Sequence, residues 1–192
     1  MSNRLIIESL PPLEQLVSAA TESDLEYSVN YAPSRRREFL AWRAVVRREL
    51  GAGVVIGYDP DGAPTVDCGL HIGVSHSREL VAVVVGESPC AVDTESVTRR
   101  FDLVAERYMS LSESRLSTDP RLHAAVWCAK ETMYKLARRP GLNLRDELHV
   151  TSVDFAAGAI SGRICGGPEV TMSLMFRDGH AVVWGALPAS GM

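Results

Sequence analysis

Two stretches of helical periodicity, each framed by start and stop signals and set among β-branched runs, confine this chain to an α+β fold. The first follows Pro33-Ser34, runs from about Arg35 to Leu50 and stops at Gly51. Phe39, Trp42, Val46 and Leu50 recur at helical spacing and form its apolar stripe, with Arg36, Arg43 and Arg47 in a second stripe beside it. The second is capped by Asp119, has Pro120 in its first turn and ends at Pro140-Gly141. Its core stripe is Leu122, Val126, Ala129, Met133 and Leu136. A third helical region spans roughly Phe101 to Met109.

Strands are expected at Arg4–Leu10, Leu70–Ser75, Leu80–Val85 and Ala91–Glu95, then at His149–Phe155, Ala159–Cys165, Glu169–Phe176 and Ala181–Leu187. Pro60-Asp61-Gly62-Ala63-Pro64 reads as a turn, and Asp178-Gly179 as a hairpin turn. The order strand–helix–strands, then strand–helices–strands, predicts two α/β halves of similar plan. Residues 1–88 form the first and 89–192 the second, although no sequence repeat is visible.

Composition excludes several classes. With 46% apolar and 23% charged residues the chain is an ordinary globular sequence. A formal net charge of −4 argues against nonspecific nucleic-acid binding. No apolar run approaches the ~20 residues that span a bilayer, and Arg4, a short Leu5-Ile6-Ile7 and Glu8 do not make a signal peptide. Cys68, Cys90, Cys128 and Cys165 lack metal or disulfide spacing, so they read as reduced and mostly buried, and the compartment as cytosol.

Lysine usage points to chemistry. Of the 20 basic residues only Lys130 and Lys135 are lysines, and they flank Glu131 in Trp127-Cys-Ala-Lys130-Glu131-Thr-Met-Tyr-Lys135. An ammonium and a guanidinium are not interchangeable where phosphate is gripped or a proton is handled. Upstream, Ala91-Val92-Asp93-Thr94-Glu95 places two carboxylates on one face of a strand, with Cα atoms roughly 6.5–7 Å apart. Trp127, Glu131 and Lys135 stand nearly opposite the helix's core stripe, and a tryptophan on that face suggests that a second surface covers it. A hard divalent cation takes a few carboxylates and completes its shell with water and phosphate oxygens, and Asp93, Glu95 and Glu131 suit it. Gly73-Val74-Ser75-His76-Ser77, at a strand end, offers hydroxyls and an imidazole to phosphate. The plain alternatives are a solvated acidic strand and an ordinary i,i+4 pair of Glu131 with Lys135.

Together, Val74-Ser75-His76-Ser77, Ala91-Val92-Asp93-Thr94-Glu95 and Trp127-x-x-Lys130-Glu131-x-x-x-Lys135 resemble the 4′-phosphopantetheinyl transferases, in the larger pseudo-dimeric type that activates carrier proteins of peptide, polyketide and siderophore synthesis. The helix around Arg36, Phe39, Trp42 and Arg43 is similar to that family's basic N-terminal segment. The resemblance implies two lobes in a pseudo-twofold arrangement with coenzyme A in the cleft between them. It implies magnesium, or manganese in its place, on Asp93, Glu95 and Glu131. Glu131 would be the base toward the carrier serine, and Lys135 would neutralise the departing 3′,5′-ADP. Ser75, His76, Asp93, Lys130 and Lys135 would contact the coenzyme, and Arg36 and Arg43 its nucleotide end. The partner would be an acyl or peptidyl carrier protein, which Arg99, Arg100 and Arg107 could steer, and the enzyme a monomer. The chain departs from the family at Trp42, where a small residue is usual, and at Ala63, where many members carry lysine. The competing expectations are a module that binds coenzyme A or a nucleotide without transfer, and a structural protein whose acidic strand is a wet face.

Overall fold

The computed structural model describes residues 3–187, so the extreme ends of both expected halves, 1–2 and 188–192, lie outside the described residues. The chain begins with β1 (Arg4–Ser9), two short helices, α1 (Leu13–Ala19) and α2 (Glu22–Tyr27), and the long α3 (Pro33–Leu50). A small hairpin of β2 (Ile56–Tyr58) and β3 (Pro64–Val66) follows, then β4 (His71–His76), β5 (Leu80–Gly86) and β6 (Cys90–Ser96). Two 3-10 segments, Phe101–Arg107 and Glu113–Arg115, lead to α4 (Leu122–Ala137). The chain closes with β7 (Leu148–Asp154), β8 (Ala159–Ile164), β9 (Glu169–Arg177) and β10 (His180–Ala186).

The fold is α+β, as expected. One antiparallel sheet has the order β1-β5-β4 and a second the order β6-β10-β9-β8-β7. The same wiring occurs twice: a strand, a long helix and a hairpin whose last strand pairs back with the first. In one case these are β1, α3 and β4–β5, in the other β6, α4 and β9–β10.

The reason for the buried β5 is in its sequence, Leu80-Val-Ala-Val-Val-Val85, an unbroken apolar run suited to a strand covered on both faces. Val81, Val83 and Val85 pack with Phe39, Trp42, Val45 and Val46 of α3. Leu80, Ala82 and Val84 face the other way, onto Cys90 and Val92 of β6 and Val182 of β10. On the far side of the second sheet, Ala91, Ala181 and Val183 meet Ala125, Ala129 and Met133 of α4. Each fully buried valine or leucine contributes about 1.5–3 kcal/mol of transfer free energy, so these layers fix how the sheets sit.

Gly73 sets the closest approach of β4 to β6. A Cβ there would stand 2.7 Å from Ala91 Cα and 3.0 Å from the Cys90 carbonyl oxygen. A polar tie reinforces the junction: buried His180 donates from Nδ1 to the Asp178 carbonyl (2.8 Å), leaving Nε2 to accept from the Ser77 hydroxyl (3.0 Å) in the β4–β5 turn.

The region Phe101–Met109 forms a 3-10 helix over Phe101–Arg107 rather than an α-helix, a geometry used in short pieces. Of the cysteines, Cys90 and Cys128 are buried and Cys68 and Cys165 are exposed, all unpaired. Among the described residues no helix is long and apolar enough to cross a membrane.

Candidate active site

Alternation along β6 sorts its side chains. Val92 and Thr94 are turned into the protein, while Asp93 and Glu95 share the face of Ala91, which packs with α4. Lys135, on α4, donates from Nζ to Asp93 Oδ1 (2.7 Å) and to the Val92 carbonyl (2.8 Å). From β4, the Ser75 hydroxyl donates to the same Asp93 oxygen (3.0 Å) and accepts from Thr94 N–H (3.2 Å). Asp93 is only 6% exposed, and its second oxygen, Oδ2, is buried without a hydrogen-bond partner. A buried carboxylate oxygen left unpaired is costly, and a cation or its bound water would remove that cost.

Glu131 lies one turn before Lys135 on α4. Burial pushes its carboxyl pKa above the usual range and the charge of Asp93 adds to that; Lys135 opposes the rise, while Glu95 reinforces it. Glu95 is also raised, first by burial and against the pull of Arg99, which hydrogen-bonds it; Asp93 raises it further. Asp93, Glu95 and Glu131 thus feel one another's charge. Arg99 in turn lies over the rings of Phe101 and Trp127, 5.1 Å from each centroid. That contact, with Tyr108 against Trp127 at 5.0 Å, covers the tryptophan on the face opposite the core stripe.

Among the described residues, no three His, Cys, Asp or Glu side chains are gathered into a ready-made metal-ligand group. Lys135 and Arg99 hold the cationic positions beside Asp93 and Glu95. The donor set still fits a hard divalent cation: all oxygens, one of them unpaired, with mutual repulsion that positive charge would relieve.

His76, at the end of β4, is half-buried between Glu38 (Nδ1 to Oε2, 3.6 Å) and Arg35 (Nε2 to NH1, 3.4 Å). Burial draws its pKa below the ordinary value, Glu38 opposes this, and Arg35 and Lys135 add to the lowering.

Two expected contacts, those of Lys130 and Arg43, need correction. Lys130 is 0% exposed: its Nζ donates to Glu113 Oε2 (2.9 Å) and to the Leu144 carbonyl (2.9 Å), so it is a core ion pair and not a coenzyme contact. Burial pulls its pKa down against the lift from Glu113. Arg43 is buried too, donating to Asp24 Oδ1 (2.6 Å) and the Ile56 carbonyl (3.0 Å). Arg47 binds the same aspartate, which draws α2 onto α3. Arg36 directs its Nε at the Ser28 hydroxyl at 3.4 Å. The partners that turn Arg43, Arg47 and Lys130 inward, Asp24 and Glu113, carried no motif in the sequence.

A cleft of about 290 Å³ opens beside Lys135. It is walled by the Asp61–Pro64 turn, Ile72–Val74 of β4, Cys90 and Ala91 of β6, and Tyr134, Lys135, Arg138, Arg139 and Pro140 at the end of α4. Cys90, on this wall, has its thiol pKa pushed up to about 11 by burial.

No protein-family model matches this chain, and no curated protein matches it significantly.

Proposed function

We propose that the chain is a 4′-phosphopantetheinyl transferase, moving phosphopantetheine from coenzyme A to a serine hydroxyl of an acyl or peptidyl carrier protein and releasing 3′,5′-ADP. The observation that carries this reading is the buried, unpartnered Oδ2 of Asp93 set among Glu95, Glu131 and Lys135. The doubled wiring of strand, helix and hairpin supports the pseudo-twofold, two-lobed arrangement, with β4 and β6 meeting where the acids lie.

Transfer at a diphosphate demands positioning and charge neutralisation more than covalent help from protein. Asp93, Glu95 and Glu131 are the residues that would hold magnesium or manganese, which when bound acts as Lewis acid and template toward diphosphate oxygens. Glu131 takes the proton of the carrier serine, directly or through water; with a cation neutralising the acidic cluster its carboxyl stays ionised and free to accept it. Lys135 neutralises charge on the leaving 3′,5′-ADP. Ser75 acts indirectly here, by orienting Asp93.

The test is mass spectrometry of carrier proteins incubated with the protein, coenzyme A and magnesium. Transfer adds the phosphopantetheine mass, and Glu131→Gln abolishes the gain with folding unchanged. Near-normal turnover by that variant would end the reading. The inward-turned Arg43 favours one alternative, a module that binds coenzyme A without transferring anything. Calorimetric binding with no mass gain across a panel of carriers would establish it.

A further inference from the structure

The cleft beside Lys135 has its own cations. Neither arginine that the resemblance assigns to the nucleotide end lines this cleft, Arg43 being buried against Asp24, and position 63 on the cleft wall is alanine. Arg138 and Arg139 line the cleft instead, from just past the C-terminus of α4.

Arg138 is held there against its backbone preference. It caps α4 with φ +50°, the left-handed region where glycine is the usual C-terminal residue. Its guanidinium hydrogen-bonds Asp59 Oδ2, while Asp59 Oδ1 accepts Asp61 N–H (3.0 Å) and Ala63 N–H (2.8 Å). One carboxylate therefore shapes the opposite wall and partners the cation. Arg139 stands beside it, largely exposed, with NH2 3.3 Å from Glu147 Oε1. A guanidinium carries five donors, so both arginines retain capacity for a multivalent oxyanion. At about 290 Å³ the cleft is at the low end for small-molecule sites, sized for part of a coenzyme rather than all of it.

We propose that Arg138 and Arg139, with Lys135, bind the phosphate groups of a phosphorylated nucleotide in this cleft, supplying the contacts that Arg43 and position 63 do not. The identity of that nucleotide, the 3′,5′-phosphorylated adenosine of coenzyme A, rests on the transferase reading. Cations at a helix C-terminus also suit its dipole, and the two roles separate by experiment.

The full chain, as wild type, Arg138→Gly and Arg139→Gln, is titrated calorimetrically with 3′,5′-ADP and with unphosphorylated adenosine, and its thermal unfolding is followed alongside. Arg138→Gly weakens 3′,5′-ADP by about tenfold or more and leaves adenosine unchanged. Its melting temperature stays within about 3 °C of wild type, since relief of the left-handed backbone offsets a part-exposed ion pair. Arg139→Gln weakens 3′,5′-ADP severalfold. Unchanged 3′,5′-ADP affinity in both variants, with or without a lower melting temperature, overturns the proposal. A wild type that modifies carriers yet does not bind 3′,5′-ADP overturns it alone. Phosphate-dependent binding lost in the variants, with no carrier modified by wild type, supports the nucleotide site and removes the transferase reading.

Discussion

Replacing Lys130 with methionine separates a lysine that holds the core from one that holds a ligand. Methionine keeps the flexible apolar stem and removes the ammonium. In the wild type that ammonium meets both oxygens of Glu113, at 2.8 and 2.9 Å, and the Leu144 carbonyl. After the change Glu113 still accepts Ser110 N–H (2.7 Å) and Val150 N–H (2.8 Å), but it is a buried charge without a counterion. Removing one member of such a pair costs about 3–5 kcal/mol, and the two remaining backbone donors place this case near 3 kcal/mol. In a chain of this length each kcal/mol moves the melting temperature by about 2–4 °C, so a fall of about 6–12 °C is expected by circular dichroism. The double variant Lys130→Met/Glu113→Gln, which leaves no buried charge, recovers at least half of that loss. If the single variant melts within about 2 °C of wild type while coenzyme A affinity collapses, the ammonium acts on the ligand and the core assignment is wrong.

Two further outcomes follow from residues of β4. Gly73→Ala drives a methyl group to 2.7 Å from Ala91 Cα and 2.9 Å from Val84 Cγ1; because backbone must yield, urea unfolding should show a loss of about 1–3 kcal/mol, and an unchanged midpoint would contradict the close approach. For His76, a pKa lowered in the folded state means that the unfolded chain binds more protons between that value and 6.5, so this group's contribution to stability rises with pH across that window and is lost as pH falls through it. Proton NMR should place the His76 midpoint below 6.5 and move it lower still in Glu38→Gln. A midpoint at 6.5 or above, or an upward move in the variant, would refute the burial argument.

Periodicity carried most of the fold. Pro33 and Gly51 bracket α3, whereas α4 starts at Leu122 behind Arg121, leaving the expected cap Asp119 and Pro120 just outside the helix; the expected strands fall within a residue or two of β1 and β4–β10. The short helices α1 and α2 and the hairpin β2–β3 were not legible, since segments of three to seven residues give a periodic pattern too little length. Within the site, the strand rule correctly put Asp93 and Glu95 on one face, because alternation is local geometry. The inward turn of Arg43 and Lys130 was not legible, because it depends on Asp24 and Glu113, 19 and 17 residues away in sequence. Motif spacing says which residue types recur together; it does not say which cation a distant carboxylate has already claimed.

The hydroxyl of Ser75 belongs to one sheet and the carboxylate it orients belongs to the other. Any opening of the seam between them takes the Ser75 hydroxyl from Asp93 and leaves Lys135 as its donor. On the transferase reading, activity would depend on this seam as well as on each sheet.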